Sequence, residues 1–445
     1  FNKGSAVGRL RVVPEGTAYE SLIFERTDIV LLQEAYPDIS PVAGILATVF
    51  STPLSHVNLR ARAWDIPNAG FVDARKAYAA LDGQMVYLSV QDATHELRKA
   101  TDKEVDAAQA QVTEARRVDL PAADLAQRDL RMLSSLGVGD TGAYGTKTAN
   151  LGAIASARLP GVHVPPGFGI PFAYYTEHMR KHGLEDEVTT MLADSRWSSD
   201  RVWRQEAAGA LRTKIRQGKV NPELLDKVEK LVRTRLVGRG VFVRSSTNAE
   251  DLEGFNGAGL YDTVPNVQGR EDLEDAVLQV WASLWNARAV EERDHYGIDH
   301  SAVYSAILVQ YGIDATAAGV LVTANLFNPD DPDSYTINAK RGLGIRVVEG
   351  ASIPEQVLFD TSNDGTKIIS RSDDPTMLVF DGKGGILEVP NPHRGVILNE
   401  SRTRRLARAV EAFVSLIPSR RPLDVEWALA GEKVWILQAR PFIGH

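Results

Sequence analysis

The stretch VFSTPLSHVNLRARAW (49–64) places a lone imidazole, His56, where small and turn-forming residues give way to a helical run. Ser51, Thr52 or Ser55 can cap a helix beginning near Ser55 or His56, and VNLRARAW sustains it. The unpaired N–H donors of a helix start carry about half a positive charge, which attracts an anion and disfavours imidazolium. The ring then stays neutral with a free lone pair, as a nucleophile needs. Arg60, four residues on, shares the helix face of His56 and carries the planar fork that grips phosphoryl oxygens, with Arg62 following. The alternative is a capping histidine followed by two solvated arginines.

Three further stretches collect groups suited to phosphate and metal. In GAYGTKTANLG (142–152) a glycine-rich turn ends in Lys147 and opens an Ala-rich helix. It resembles a phosphate cradle but is not a P-loop, because Thr146 separates Gly145 from the lysine. In VFVRSSTNAEDLEGFNGAGLYDTVPNV (241–267) an apolar strand delivers Arg244 into a polar stretch, followed by Glu250, Asp251 and the glycines 254, 257 and 259. A cation, hydroxyls, carboxylates and a flexible loop are what holding a Mg-triphosphate requires; a polar surface loop is the alternative. In LDVEWALAGEKVWILQARP (423–441) strand alternation puts Asp424 and Glu426 on one side, and Gln438 and Arg440 share a face after the turn at Gly431. Two strands presenting these four groups form a wall for a metal-bound nucleotide, with cross-strand ion pairing as the alternative. The other histidines lack metal-ligand spacing, and His178 and His182 are expected at the surface.

Elements of an α/β protein must position these groups. GSAVGRLRVV (4–13), DIVLLQEA (28–35), GILATVF (44–50) and GQMVYLSV (83–90) have strand length and composition, and the histidine helix falls between the last two. From about 92 to 135 the chain turns charged and Ala-rich, which predicts a solvated helix between bodies. Beyond 135 mixed helices and strands continue to the end, and KVWILQARP (433–441) is the clearest late strand.

The totals narrow the class. A chain of 445 residues suggests about three domains. With 50 basic and 58 acidic residues the net charge is −8, which points away from nucleic acid and anionic membrane. Zero cysteines exclude disulfides, thiolate metal sites and cysteine nucleophiles, and fit a reducing, cytoplasmic setting. No apolar run approaches a membrane span. A start at Phe1 rather than Met suggests an excised or processed piece, which leaves open an acceptor-binding domain outside it.

Together these stretches resemble the phosphoenolpyruvate-utilising dikinases, a family that includes phosphoenolpyruvate synthase, pyruvate phosphate dikinase and the glucan and phosphoglucan water dikinases. PLSHVNLRARAWDIPNAGF resembles the segment carrying the family's phosphorylated histidine. TKTANL, VPPGFGIP, the Arg244 stretch, VWASLWNARA, ILVQ, INAKRGLG and the 423–441 stretch resemble its ATP-grasp nucleotide-binding domain. The resemblance implies a swivelling phosphohistidine β/α domain at 1–95, a helical linker at 96–135 and a multi-subdomain ATP-grasp domain at 136–445. LSHVNLRAR and the placing of the histidine domain first look closest to the water dikinases. Asn338 and Ile345 depart from the acidic residues usual at those positions.

Carried over, the resemblance implies that Lys147 and Arg244 neutralise ATP phosphates and that Glu426 with Gln438 holds Mg²⁺. Asp251, Asp424 and Arg440 complete the wall, Gly257 and Gly259 close over the phosphates, and ILVQ (307–310), ending in Gln310, is the adenine-binding hinge. His56 takes a pyrophosphoryl group, loses the terminal phosphate to water and passes the remaining one to an alcohol, with an α-glucan expected. The alternatives are a pyruvate-type or other small acceptor, an ADP-forming ATP-grasp ligase, and a non-catalytic nucleotide-binding regulator.

Overall fold

In the computed structural model the described residues are 1–442 other than 18–21, 34–35, 37–38, 49–55, 93, 112–117, 239, 251, 253–254, 256, 258, 329, 348–352, 394 and 420. The side chains of His56, Leu59, 109–111 and 346–347 also lie outside that set.

Branched apolar runs build a first sheet of six strands, β1 (Gly4–Val12), β2 (Asp28–Leu32), β3 (Gly44–Ala47), β4 (Asn68–Gly70), β5 (Met85–Val90) and β6 (His95–Lys99), in the order β4-β3-β2-β1-β5-β6. Strands β1 to β4 run parallel, and β2 and β3 are buried throughout, as continuous apolar runs in a parallel sheet must be. One face closes over Leu10, Ile29, Leu31, Leu46, Val86 and Leu88, with helix α2 (Ala74–Tyr78) beside it. The other face, through Val30, Leu32 and Ile45, lies under helix α1 (His56–Trp64), whose Val57, Ala61 and Trp64 point inward. That core runs without a break into the rest of the molecule.

The helix expected across 92–135 does not form as one piece. Residues 95–99 are strand β6, helix α3 (Asp102–Gln111) spans ten residues, and 118–130 form neither helix nor strand. Val118 N–H donates to Tyr296 O and Asp124 N–H to Gly142 O, so backbone groups a helix would use internally are spent on the larger body. Pro121, with no N–H, disfavours a helix interior there.

The remainder holds two antiparallel sheets facing a common cleft. The second sheet contains β7 (Arg131–Met132), β8 (Gly167–Ile170), β9 (Val241–Thr247), β10 (Thr263–Val267) and β11 (Ser305–Tyr311), in the order β10-β9-β11-β8-β7. Helix α4 (Thr141–Ala157) lies along it. Helices α5 (Phe172–Lys181), α6 (Leu184–Ala193), α7 (Arg196–Ser199), α8 (Arg201–Gln217), α9 (Pro222–Arg235), α10 (Arg270–Ala282) and α11 (Ala287–His295) surround its outer side. His178, expected at the surface, is buried in α5 against Trp281 and His182, because its face of the amphipathic helix turns inward.

The third sheet contains β12 (Ala317–Val322), β13 (Ser334–Arg341), β14 (Glu355–Asp360), β15 (Gly365–Ser370), β18 (Leu423–Ala430) and β19 (Lys433–Pro441), in the order β15-β14-β13-β12-β18-β19. Ile337, Val357, Val425, Trp427 and Ile436 pack under helix α12 (Glu400–Phe413), which leaves the alternate residues of the sheet for the cleft. A hairpin of β16 (Thr376–Phe380) and β17 (Ile386–Pro390) crosses between the sheets. Leu343 N–H on the third-sheet side donates to Leu378 O. On the second-sheet side Asn266 Nδ2 donates to Asp381 O and Gly385 O, both at 2.7 Å, and Asn266 O accepts from Gly385 N–H. Asn266 holds a left-handed φ of 51° to do so.

Gly145 sets how closely α4 approaches β9. It breaks the helix with φ 75° and ψ 162°, and a Cβ there would stand 2.2 Å from Ser246 O. The contact lets Ser246 Oγ donate to Tyr144 O at 2.7 Å while accepting from Thr148 N–H at 3.0 Å. Gly145→Ala therefore combines backbone strain with a backbone clash. It is expected to destabilise the protein by about 3 kcal/mol, read from urea unfolding midpoints, whereas Gly139→Ala, with open space around it, stays within about 1 kcal/mol.

Candidate active site

Arg244 leaves β9 at the middle of the second sheet and crosses to the third. Its Nη2 donates to Glu426 Oε2 at 2.8 Å and to Gln438 Oε1 at 3.0 Å, and its Nη1 donates to Leu437 O at 2.7 Å. Gln310 Oε1 stands 3.5 Å from Nη1. One planar guanidinium thus ties β9 and β11 to β18 and β19, which a lysine could not match in geometry.

The neighbouring groups fall into place by strand register. Glu426 pairs across β18–β19 with Gln438, and Asp424 pairs with Arg440. Directly opposed residues share a sheet face, so all four line the cleft. Arg440 grips Asp424 Oδ2 through Nε at 3.0 Å and Nη2 at 2.7 Å. Across the cleft Lys147, in the first turn after the Gly145 break, lies 3.5 Å from Glu250 Oε1. Glu250 also accepts from Ser245 Oγ at 3.0 Å and from Thr247 N–H at 3.2 Å. Asn150 Nδ2 donates to Ala439 O at 3.0 Å, which holds α4 against β19.

Electrostatics favour the ionised form of this wall. Burial works to raise the Glu426 carboxyl, but Arg244, Arg440 and Lys147 outweigh it and hold the group below the usual carboxylate range. The donor set fits Mg²⁺, which takes one or two protein oxygen ligands and completes its shell with phosphate oxygens and water. Glu426 supplies a carboxylate and Gln438 an amide oxygen, adjacent and already aimed at one cation, the guanidinium of Arg244.

The expected residues thus divide. Lys147, Arg244, Gln310, Asp424, Glu426, Gln438 and Arg440 come to one cleft. Gly257 is buried against Glu250, and Gly259 is exposed with φ 62°. Asp251 lies outside the described residues, as does the side chain of His56, although the backbone there opens α1.

Two expectations change. Every residue of ILVQ (307–310) pairs with both β8 and β9, so its backbone has no groups left for adenine. The segment joining the two sheets is 312–316, beside a small apolar cluster of Ile313, Ala318 and Ala428. Arg60 is buried, donates from Nη1 to Ile39 O at 2.9 Å, and is committed to packing rather than held ready for phosphate.

Sequence reasoning passed over Glu250 in favour of its neighbour and missed Ser246 entirely. The alternation within β9, which sets Ser246 on the side of Arg244, would have marked it as facing α4. Asn338 sits opposite Val320, which in turn sits opposite Glu426, so the departure lies in the cleft-facing row, with Oδ1 accepting from Gln356.

A family model described as pyruvate phosphate dikinase, AMP/ATP-binding domain, matches residues 142–444. The chain belongs to that family. A probable phosphoenolpyruvate synthase of Methanothermobacter thermautotrophicus is 32% identical over 319 residues, covering 69% of this chain and 45% of the relative. The phosphoenolpyruvate synthase of Pyrococcus furiosus is 28% identical over 369 residues, covering 71% and 44%. A rifampicin phosphotransferase of a Streptomyces species is 31% identical over 325 residues, covering 70% and 35%. The matches take up less than half of each relative's length. None of these three is a glucan water dikinase, so proximity to that branch is not shown. The matched family span contains every cleft residue named above, from Lys147 to Arg440.

Removing the guanidinium strands the carboxylate it holds. Arg244→Met is expected to lower MgATP affinity by about 100-fold, equivalent to about 2.7 kcal/mol, in titration calorimetry. Glu426→Gln should weaken nucleotide binding in Mg²⁺ by at least about tenfold and leave binding in EDTA nearly unchanged.

Proposed function

We propose that this chain is the nucleotide and phosphohistidine part of an ATP-dependent, AMP-forming dikinase whose acceptor is a small organic molecule. The observation that carries the reading is the gathering of Lys147, Arg244, Glu426, Gln438 and Arg440 at one cleft within a span belonging to the AMP/ATP-binding family. The names of the relatives, phosphoenolpyruvate synthase and rifampicin phosphotransferase, favour a pyruvate-type or other small acceptor over a glucan.

On this reading the residues of the cleft divide the work. ATP places its base beside the 312–316 connection and its phosphates between Lys147 and Arg244. Arg244 gives up Glu426 and Gln438 and turns to phosphate oxygens, while those two groups would hold Mg²⁺. The metal, when bound, would neutralise charge on the phosphates. Asp424 keeps Arg440 directed at the cleft. The loop containing Gly257 and Gly259 excludes water from the phosphates.

His56 then attacks the β-phosphorus with its neutral nitrogen. The bond from that phosphorus to the α,β-bridging oxygen breaks, and AMP leaves with the electron pair. Water takes the terminal phosphoryl group, giving orthophosphate and leaving one phosphoryl on the ring. An acceptor oxygen attacks that phosphorus, the P–N bond breaks, and the imidazole returns neutral.

The reading predicts that incubation with MgATP labelled at the β-phosphorus gives acid-labile, base-stable label on the wild-type protein and none on His56→Ala. The nucleotide product is AMP; ADP as product would overturn the dikinase assignment in favour of a ligase-type reaction. Chasing the labelled protein with pyruvate and then with glycogen separates the acceptors, and label moving to glycogen alone would overturn the small-molecule choice.

A further inference from the structure

Helix α1 and the glycine-rich loop meet the same element, α11. From α1, Trp64 Nε1 donates to Glu292 Oε2 at 3.0 Å, and Arg60 is buried where it feels the Glu292 charge. Tyr296, one turn beyond Glu292, donates from its hydroxyl to Ala63 O at 3.2 Å, and its ring stands edge-on to Phe255 of the loop at 5.3 Å. At the start of α11, Asn286 Nδ2 donates to Leu260 O at 3.2 Å and to Asp262 Oδ1 at 2.9 Å. Arg293 reaches the Tyr261 hydroxyl at 3.4 Å. A single helix of nine residues and the tyrosine that ends it therefore locate both the histidine-bearing helix and the segment that follows Glu250, the partner of Lys147. Arg60 and Trp64 are four apart on α1, whose backbone opens at position 56.

The chemistry of this contact suits parts that separate. Arg26 pairs with Asp294, Arg201 donates to Phe24 O and lies 3.5 Å from Glu25, and Glu292 faces Arg60 and Arg288. Burial pushes the Glu292 carboxyl up to about 7 against the opposing pull of Arg60, the Trp64 hydrogen bond, Arg288 and Arg26. Burial likewise pulls Arg288 down to about 10. These groups regain their hydration when the faces part, so beside the apolar core shared by the two faces they fix the orientation of the contact.

We propose that Glu292 is a positioning residue that seats helix α1 against α11, and that this seating is the station at which His56 takes up its phosphoryl group. The proposal rests on the phosphohistidine reading above and adds where, and by which side chain, the unit docks.

The chain has no cysteine, so a pair introduced as Arg26→Cys with Asp294→Cys is the sole target for a short bismaleimide that a reductant can cleave. The cross-linked protein should take label from β-labelled MgATP onto His56 at a rate within about twofold of the unlinked pair. Glu292→Ala should label about tenfold more slowly with MgATP affinity unchanged, and the cross-link should restore its rate by raising the effective concentration of the docked unit. Glu292→Gln, which keeps an acceptor for Trp64, should fall between the two. Cross-linked protein that labels only after cleavage overturns the station. A Glu292→Ala variant that labels at the wild-type rate, or stays slow when cross-linked, overturns the positioning role. Absence of label on every form, wild type included, overturns the phosphohistidine reading itself.

Discussion

The cleft depends on one guanidinium that cannot be left alone. Arg244 is buried between two sheets, and a desolvated cation there is tolerated only while opposite charge and carbonyl oxygens surround it. Glu426, Gln438 and Leu437 O supply that surrounding from the far sheet, so the pairing both satisfies the charge and sets the spacing of the sheets. Lys147 with Glu250 and Arg440 with Asp424 repeat the arrangement on either side. Three cations stand against three carboxylates, and a metal-bound nucleotide can exchange partners with them without stranding any charge.

The wall of the cleft was legible because strand alternation fixes which side chains share a face. Asp424 shares a face with Glu426, and Gln438 with Arg440, by period two, as the strand bearing Arg244 also shows; what period two does not give is the bulge between Ile436 and Gln438 that turns the second pair from the core to the cleft. The fold class followed from the same apolar runs. What could not be read was what lies opposite a given face. The spacing of His56 and Arg60 says that they share a stripe, but nothing in VNLRARAW says that Glu292, more than 200 residues away, fills the space in front of Arg60. ILVQ reads as an apolar strand, and only the flanking pairs show that both its edges are used.

Loops and linkers were the weaker part for a related reason. Past the end of β9 the alternation loses its backbone anchor, so Glu250 and Asp251 could not be ranked from sequence. The segment after α3 has the composition of a helix, yet Val118 and Asp124 find backbone partners on the larger body that an isolated helix would have to forgo. Tertiary hydrogen bonds override local propensity when the propensity is worth only tenths of a kcal/mol per residue, roughly.

The clasp at Asn266 bears on how the two sheets can part. Side-chain bonds such as those of Arg244 and Asn150 are exchangeable for bonds to water or ligand, but the peptide connection at 312–316 is not. Three hydrogen bonds at residue 266 hold the crossing hairpin nearby, with Phe380 set against Phe242. That end therefore acts as a fulcrum, and angular motion grows with distance from it. Asp424 and Arg440 lie at the end remote from this connection and Ile313 and Ala428 beside it, so on the proposed function an opening about it would widen the phosphate end while leaving the slot for the base nearly unchanged.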